Sequence, residues 1–210
     1  MPEIIPAILT DGLEDFKDKL KKLEGLTKWV QIDIMDGKFV NNKSIKLEDI
    51  VSIDHNFKLE VHLMVENPEK YFKVCQKLKC KRVLFHFEAV KDPLKTIEEM
   101  NQYDFAKGIS INPPTPVDDV LPYVDLVDVV LFLAVNPGWQ GQKFDPNVLK
   151  KIEKIRETHP NKQISIDGGV NMDNIKRVVS AGFNIINIGS AIFQNDQVEK
   201  NIISFKSIIK

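Results

Sequence analysis

Along the chain, short runs of apolar residues alternate with segments whose apolar positions recur every three to four residues. The first pattern is that of strands, the second that of helices packed on one face. Glu3–Leu9 reads as an apolar strand, and helix Leu13–Leu23 follows with Leu13, Phe16, Leu20 and Leu23 on one side and Asp11 placed to cap it. Val30–Ile34 is the second strand, then a short helix Leu47–Ile53 and a third strand Lys58–Met64. Asn67-Pro68 launches a helix to about Leu78. Strand Arg82–Phe87, helix Pro93–Asn101 and strand Phe105–Ile111 come next, the last ended by Asn112-Pro113-Pro114-Thr115-Pro116. Leu126–Leu133 is a continuous apolar run, as expected of a strand buried on both faces. Asp145-Pro146 opens helix Asn147–Thr158, and strand Gln163–Ile166 leads through Asp167 to helix Met172–Ala181. Strand Asn184–Ile188 and a final helix Val198–Ile209 complete the chain.

Strand and helix thus alternate about eight times with no composition break that would mark a linker. That alternation predicts one (β/α)8 barrel domain over residues 1–210. A doubly wound sheet is the competing architecture. Polar residues or glycines stand at the C-terminal end of nearly every strand, where a doubly wound sheet would gather them at one switch point, and this favours the barrel.

Composition removes other classes. The 210 residues are 43% hydrophobic and 28% charged, with a formal net charge of −1. Near-neutrality argues against nucleic-acid binding, and Lys17–Lys22 and Lys150–Lys154 read as solvated helix faces. No apolar stretch is long enough to span a bilayer and no secretory signal is evident, so a cytoplasmic protein without a membrane partner is expected. Cys75 and Cys80 fit neither a zinc site nor a disulfide framework and are read as reduced thiols.

In Val30-Gln31-Ile32-Asp33-Ile34-Met35-Asp36-Gly37, the polar side chains of Gln31 and Asp33 share one strand face. An inward carboxylate near a strand end is costly to bury without a partner or a task. In a barrel the strand ends converge, gathering Gln31, Asp33, His62, Met64, His86, Glu88, Asn112, Asn136 and Asp167 at one mouth. Gly138 and Gly141, Gly168 and Gly169, and Gly189-Ser190 form three loops that let backbone N–H groups approach an anion. Barrels commonly hold phosphate in the loops after strands seven and eight, so a phosphorylated ligand is expected there.

These residues together resemble the ribulose-phosphate 3-epimerase family over essentially the whole chain. The matching segments are Pro6-Ala7-Ile8-Leu9, Asp33-Ile34-Met35-Asp36-Gly37-Lys38-Phe39-Val40, His62-Leu63-Met64-Val65, His86-Phe87-Glu88-Ala89, Asn112-Pro113-Pro114-Thr115, Val135-Asn136-Pro137-Gly138, Gly141-Gln142-Lys143-Phe144, Asp167-Gly168-Gly169-Val170 and Gly189-Ser190-Ala191-Ile192-Phe193. The resemblance implies interconversion of D-ribulose 5-phosphate and D-xylulose 5-phosphate, with Asp33 and Asp167 as the acid/base pair at C3. It implies a divalent metal (Zn, Fe, Mn, Co or Mg) held by Asp33, His62, Asp167 and a His two positions before Asp33. It places His62, Met35 and Met64 at the reaction centre, and Gly138, Trp139, Gln140, Gly141, Gly168, Gly169, Gly189 and Ser190 around the substrate and its phosphate. A homo-oligomer is implied as well.

The sequence departs from the family pattern at particular positions. Gln31 stands in place of the ligand His, and a Gln carbonyl is a neutral, harder donor suited to Mg or Ca. Losing a ligand's supporting partner weakens metal sites about 10–100-fold, so exchanging the ligand itself should weaken or abolish binding. Ala7 replaces a substrate-contacting Ser, Leu133 a third Met, Glu60 an Asp, and Gln140 a glycine of the phosphate loop. A positive φ at Gln140 would cost about 1–2 kcal/mol. Three functions remain open: an epimerase with altered metal dependence, an epimerase of another ketose phosphate, or a non-catalytic phosphosugar-binding barrel.

Overall fold

In the computed structural model, which describes residues 1–209, eight parallel strands close into a ring in sequence order. They are β1 Glu3–Ile8, β2 Trp29–Met35, β3 Lys58–Met64, β4 Arg82–His86, β5 Ala106–Ile111, β6 Val129–Leu133, β7 Gln163–Asp167 and β8 Ile185–Ile188. The helices are α1 Leu13–Leu23, α2 Leu47–Ile50, α3 Glu69–Lys77, α4 Pro93–Met100, α5 Val148–Thr158, α6 Ile175–Ser180, α7 Ser190–Phe193 and α8 Val198–Ile208. β8 returns to β1, pairing Ile185 with Glu3 and Ile188 with Pro6. The architecture is the expected (β/α)8 barrel.

Side chains that alternate along each strand divide the core in two. Val30, Ile32 and Ile34 of β2 and Leu59, Val61 and Leu63 of β3 belong to the large apolar layer that also takes Phe16, Leu20 and Leu23 of α1 and Phe72 of α3. Inside the ring, Ile5, Leu84, Val129, Leu131, Leu133 and Ile185 form a smaller apolar cluster. The other residues of alternating register are polar: Gln31, Asp33, Glu60, His62, Arg82, His86, Ser110, Ser165 and Asn187 are all buried. Register pairs Gln31 with Glu60, Asp33 with His62 and Met35 with Met64, so these groups climb toward the C-terminal mouth in steps.

Some element ends differ from the pattern. The sixth strand begins at Val129, not Leu126, because Leu121–Leu126 is a 3₁₀ turn opened by Pro122. Asp128, just before the strand, accepts the Lys107 N–H through its carboxylate. Phe87 lies in a 3₁₀ turn and not in β4. Gly12, not Asp11, occupies the cap position of α1, and the Gly12 N–H donates to the Thr10 hydroxyl instead. Helix α6 starts at Ile175 and not Met172, since the Asn171 side-chain oxygen closes an Asx turn by accepting the Asp173 N–H, and the Asn174 side-chain oxygen accepts the Asn171 N–H.

Gly108 lies inside the ring opposite Leu84, and a Cβ at this position would sit 2.8 Å from the Leu84 Cγ. Leu84 is fully buried and has no room to turn away. Gly108→Ala should therefore destabilise the barrel by about 1–3 kcal/mol in urea denaturation, and Leu84→Val in the same chain should recover part of the loss. Equal stability of Gly108→Ala and the parent would contradict this packing.

Candidate active site

The strand ends and three loops enclose one pocket at the C-terminal mouth. β2 supplies Asp33 and Met35, β3 supplies His62 and Met64, β7 supplies Asp167, and β8 supplies Asn187. The loop after β6 contributes Asn136 through Gln142, including Gly138, Trp139, Gln140 and Gly141. Gly168 and Gly169 follow β7, and Gly189 and Ser190 follow β8. Gln31, His86, Glu88 and Asn112 are outside the pocket lining: Gln31 lies beneath the carboxylates, and the others stand behind His62.

The two carboxylates share one amide. Gln31 Nε2 donates to Asp33 Oδ1 at 2.9 Å and to Asp167 Oδ2 at 2.6 Å. Burial pushes the Asp167 carboxyl up to about 7, and the neighbouring Asp33 charge adds to the rise.

A second polar line runs sideways. His62 Nδ1 lies 3.1 Å from Asp33 Oδ1, its Nε2 lies 2.9 Å from His86 Nε2, and His86 Nδ1 lies 3.3 Å from Glu88 Oε2. Burial draws His86 down to about 4, leaving a neutral ring. Burial would also lower His62, but its hydrogen bond to the Asp33 carboxylate and the charges of Asp33 and Asp167 outweigh it and raise the group. Glu88 is held below its ordinary value: burial opposes ionisation, and His86, Thr115 and the Asn112 N–H overcome it. With Glu88 ionised, His86 donates from Nδ1 and accepts at Nε2, which fixes His62 Nε2 as a donor.

Asp33, His62 and Asp167 each offer a donor atom, all within 4.8 Å of one another, so this triad could hold a metal ion. Two carboxylates and one imidazole suit a borderline divalent ion. Gln31 lies next to this set. Its nitrogen, which has no free lone pair, faces the carboxylates, while its carbonyl oxygen accepts from Asn187 Nδ2. In this orientation the amide's donors, and not the carbonyl expected as a harder ligand, face the carboxylates.

The phosphate-loop expectations also sharpen. Gln140 is not among the residues with positive φ, so no strain arises from replacing glycine there. Its side chain lies against Gly189, where a Cβ would stand 2.7 Å from Gln140 Nε2. Gly169 has φ 67°, and a Cβ on it would press the Phe144 backbone at 2.8 Å. Trp139 is 62% exposed at the rim. Asn187 was missed by the sequence reading, although a lone polar residue in Ile185-Ile186-Asn187-Ile188 was a visible signal.

The chain is 34% identical over 198 residues to the cytoplasmic isoform of ribulose-phosphate 3-epimerase of Oryza sativa subsp. japonica, covering 91% of this chain and 87% of that protein. It is 33% identical over 210 residues to ribulose-phosphate 3-epimerase of Bacillus subtilis, covering 96% and 97%. Among solved structures, 3-hexulose-6-phosphate synthase from Salmonella typhimurium superposes with a TM-score of 0.75 at 10% identity, covering 99% of this chain and 98% of that one, a likeness of fold alone. Residues 3–193 match the ribulose-phosphate 3-epimerase family, and the chain belongs to that family.

Proposed function

We propose that the protein is an isomerase that interconverts D-ribulose 5-phosphate and D-xylulose 5-phosphate by proton transfer at C3. The observation that carries this reading is the pair Asp33 and Asp167, held by one amide at the floor of a pocket whose rim is glycine loops. Epimerisation removes a proton from one face of C3 and returns one to the other, so one carboxyl must start ionised and the other protonated. Asp167, held up to about 7, is the acid at neutral pH, which leaves Asp33 as the base in that direction. The reverse reaction exchanges the roles. Backbone N–H groups around Gly168, Gly169, Gly189 and Ser190 would take the phosphate and fix C3 between the two acids.

Met35 and Met64 pack together at the mouth and would exclude water from the enediolate without competing for its proton. A divalent ion held by Asp33, His62 and Asp167 would, when bound, polarise the ketose oxygens and favour the developing charge. The relatives' names support this substrate, the name of the rice isoform accords with a cytoplasmic place for the protein, and the family resemblance supports a homo-oligomer. Among the described residues no helix is long and apolar enough to cross a membrane.

The test is incubation with ribulose 5-phosphate in D2O, following C3–H by NMR with and without chelator. Loss of that signal with appearance of xylulose 5-phosphate is expected. Turnover of a different ketose phosphate alone would redirect the substrate assignment, and binding without exchange would remove catalysis. Asp33→Asn should lower exchange by at least about 10²–10⁴-fold; an active Asp33→Asn variant would end the acid/base assignment.

The raised Asp167 carboxyl has a pH signature. Folding binds a proton that the unfolded chain holds only near its usual 3.8, so this contribution to stability is present at low pH and is lost as pH rises through about 7. Thermal midpoints should decline over that interval, and Asp167→Asn should flatten the decline.

A further inference from the structure

Beneath the carboxylates lies a buried polar chain that the proposed chemistry does not use. Arg82 donates through Nη1 to Glu60 Oε2, and its guanidinium stacks over the Trp29 ring with 4.7 Å from Cζ to the ring centre. Glu60 Oε1 accepts from Asn187 Nδ2 at 3.0 Å. The same Nδ2 donates to the Gln31 carbonyl and lies 3.3 Å from Ser165 Oγ. Gln31 then passes its own N–H groups to Asp33 and Asp167. Gln31, Glu60, Ser165 and Asn187 have no exposed surface at all.

The polarity of this chain is set at its lower end. A guanidinium carries donors only, so Glu60 must accept from it, and its second oxygen is left to accept from Asn187. Asn187 turned over would set its carbonyl against the Glu60 carboxylate and the Gln31 carbonyl. In the observed orientation the Asn187 Oδ1 has no hydrogen-bond partner although it is buried. An orphaned acceptor is costly, and the fold accepts that cost while keeping the amine facing Gln31. Gln31 turned over would bring its NH2 against the Asn187 NH2 and its carbonyl against two carboxylates.

We propose that Gln31, locked in one amide orientation by Arg82, Glu60 and Asn187, is a positioning residue that joins Asp33 to Asp167 by N–H donation, and that Asn187 is what keeps its carbonyl from serving a divalent ion. The inference concerns the same site as the proposed epimerase and gives its metal dependence a structural basis. The carboxylate pair is held without a fourth metal ligand, and a metal at the triad must compete with the two Gln31 hydrogen bonds.

The test titrates Co²⁺ alone into the full chain by calorimetry and visible absorption, with no substrate. Asn187→Leu removes the donor that faces the Gln31 carbonyl, lets the amide turn, and should raise Co²⁺ affinity about 10-fold or more. Gln31→Met combined with Asn187→Leu should abolish that gain, because the gain runs through the Gln31 carbonyl. An unchanged affinity in Asn187→Leu, or a gain that survives in the double variant, would overturn the proposal. A second measurement uses the unaltered protein, in case Asn187→Leu does not fold. The Gln31 side-chain amide protons, assigned by their loss in Gln31→Met, should be shifted downfield and protected from solvent exchange. Random-coil shifts with fast exchange would overturn it equally. Neither readout involves a sugar phosphate, so absence of C3 exchange with ribulose 5-phosphate would count against the proposed reaction and leave this inference standing.

Discussion

Two carboxylates cannot be kept side by side inside a closed barrel unless something offsets their repulsion, and in this protein the His62 ring and the Gln31 amide do so. The NH2 of Gln31 reaches Asp33 on its own strand and Asp167 on β7. Asp167 responds by holding its proton to about neutral pH, chiefly from burial and secondarily from Asp33. Proximity, the raised Asp167 carboxyl and an accessible pocket therefore arise together.

That amide is one rung of a ladder inside the barrel. A (β/α)8 barrel usually packs its centre with branched apolar side chains, and Ile5, Leu84, Val129, Leu131, Leu133 and Ile185 do so here. Alongside them Arg82, Glu60, Asn187 and Gln31 follow one another by hydrogen bonds toward the mouth. Buried ion pairs are weak sources of stability and are best understood as devices of orientation. Orientation is what this one provides, because each partner in turn dictates which end of the next amide points upward.

His62 is oriented from the opposite direction. Glu88 is kept ionised by Thr115 and the Asn112 N–H and fixes the tautomer of His86, whose Nε2 then accepts from His62 Nε2. The same Nδ1 that meets Asp33 is the atom His62 offers to the possible metal triad. A metal ligand whose second nitrogen is committed to a partner is held in register before any ion arrives. The pocket thus has two supports, an amide ladder from below and an imidazole line from the side.

Local patterns were enough to count the strands, to close them into a barrel and to bring Asp33, His62, Asp167 and the three glycine loops to one mouth. Period-two alternation fixes which side chains point inward, and parallel strands place their C-terminal ends together whatever lies between them. Strand ends were less legible: the apolar run from Leu126 gave no sign that Pro122 begins a turn reaching that far. The orientation of Gln31 was wholly hidden, since the partner that decides it, Asn187, is 156 residues away and is itself held by Glu60 on a third strand. A side-chain amide offers a donor and an acceptor at nearly the same position, and composition or spacing says nothing about which one faces the site. Only the assembled interior, with Arg82 at its base, chose between them.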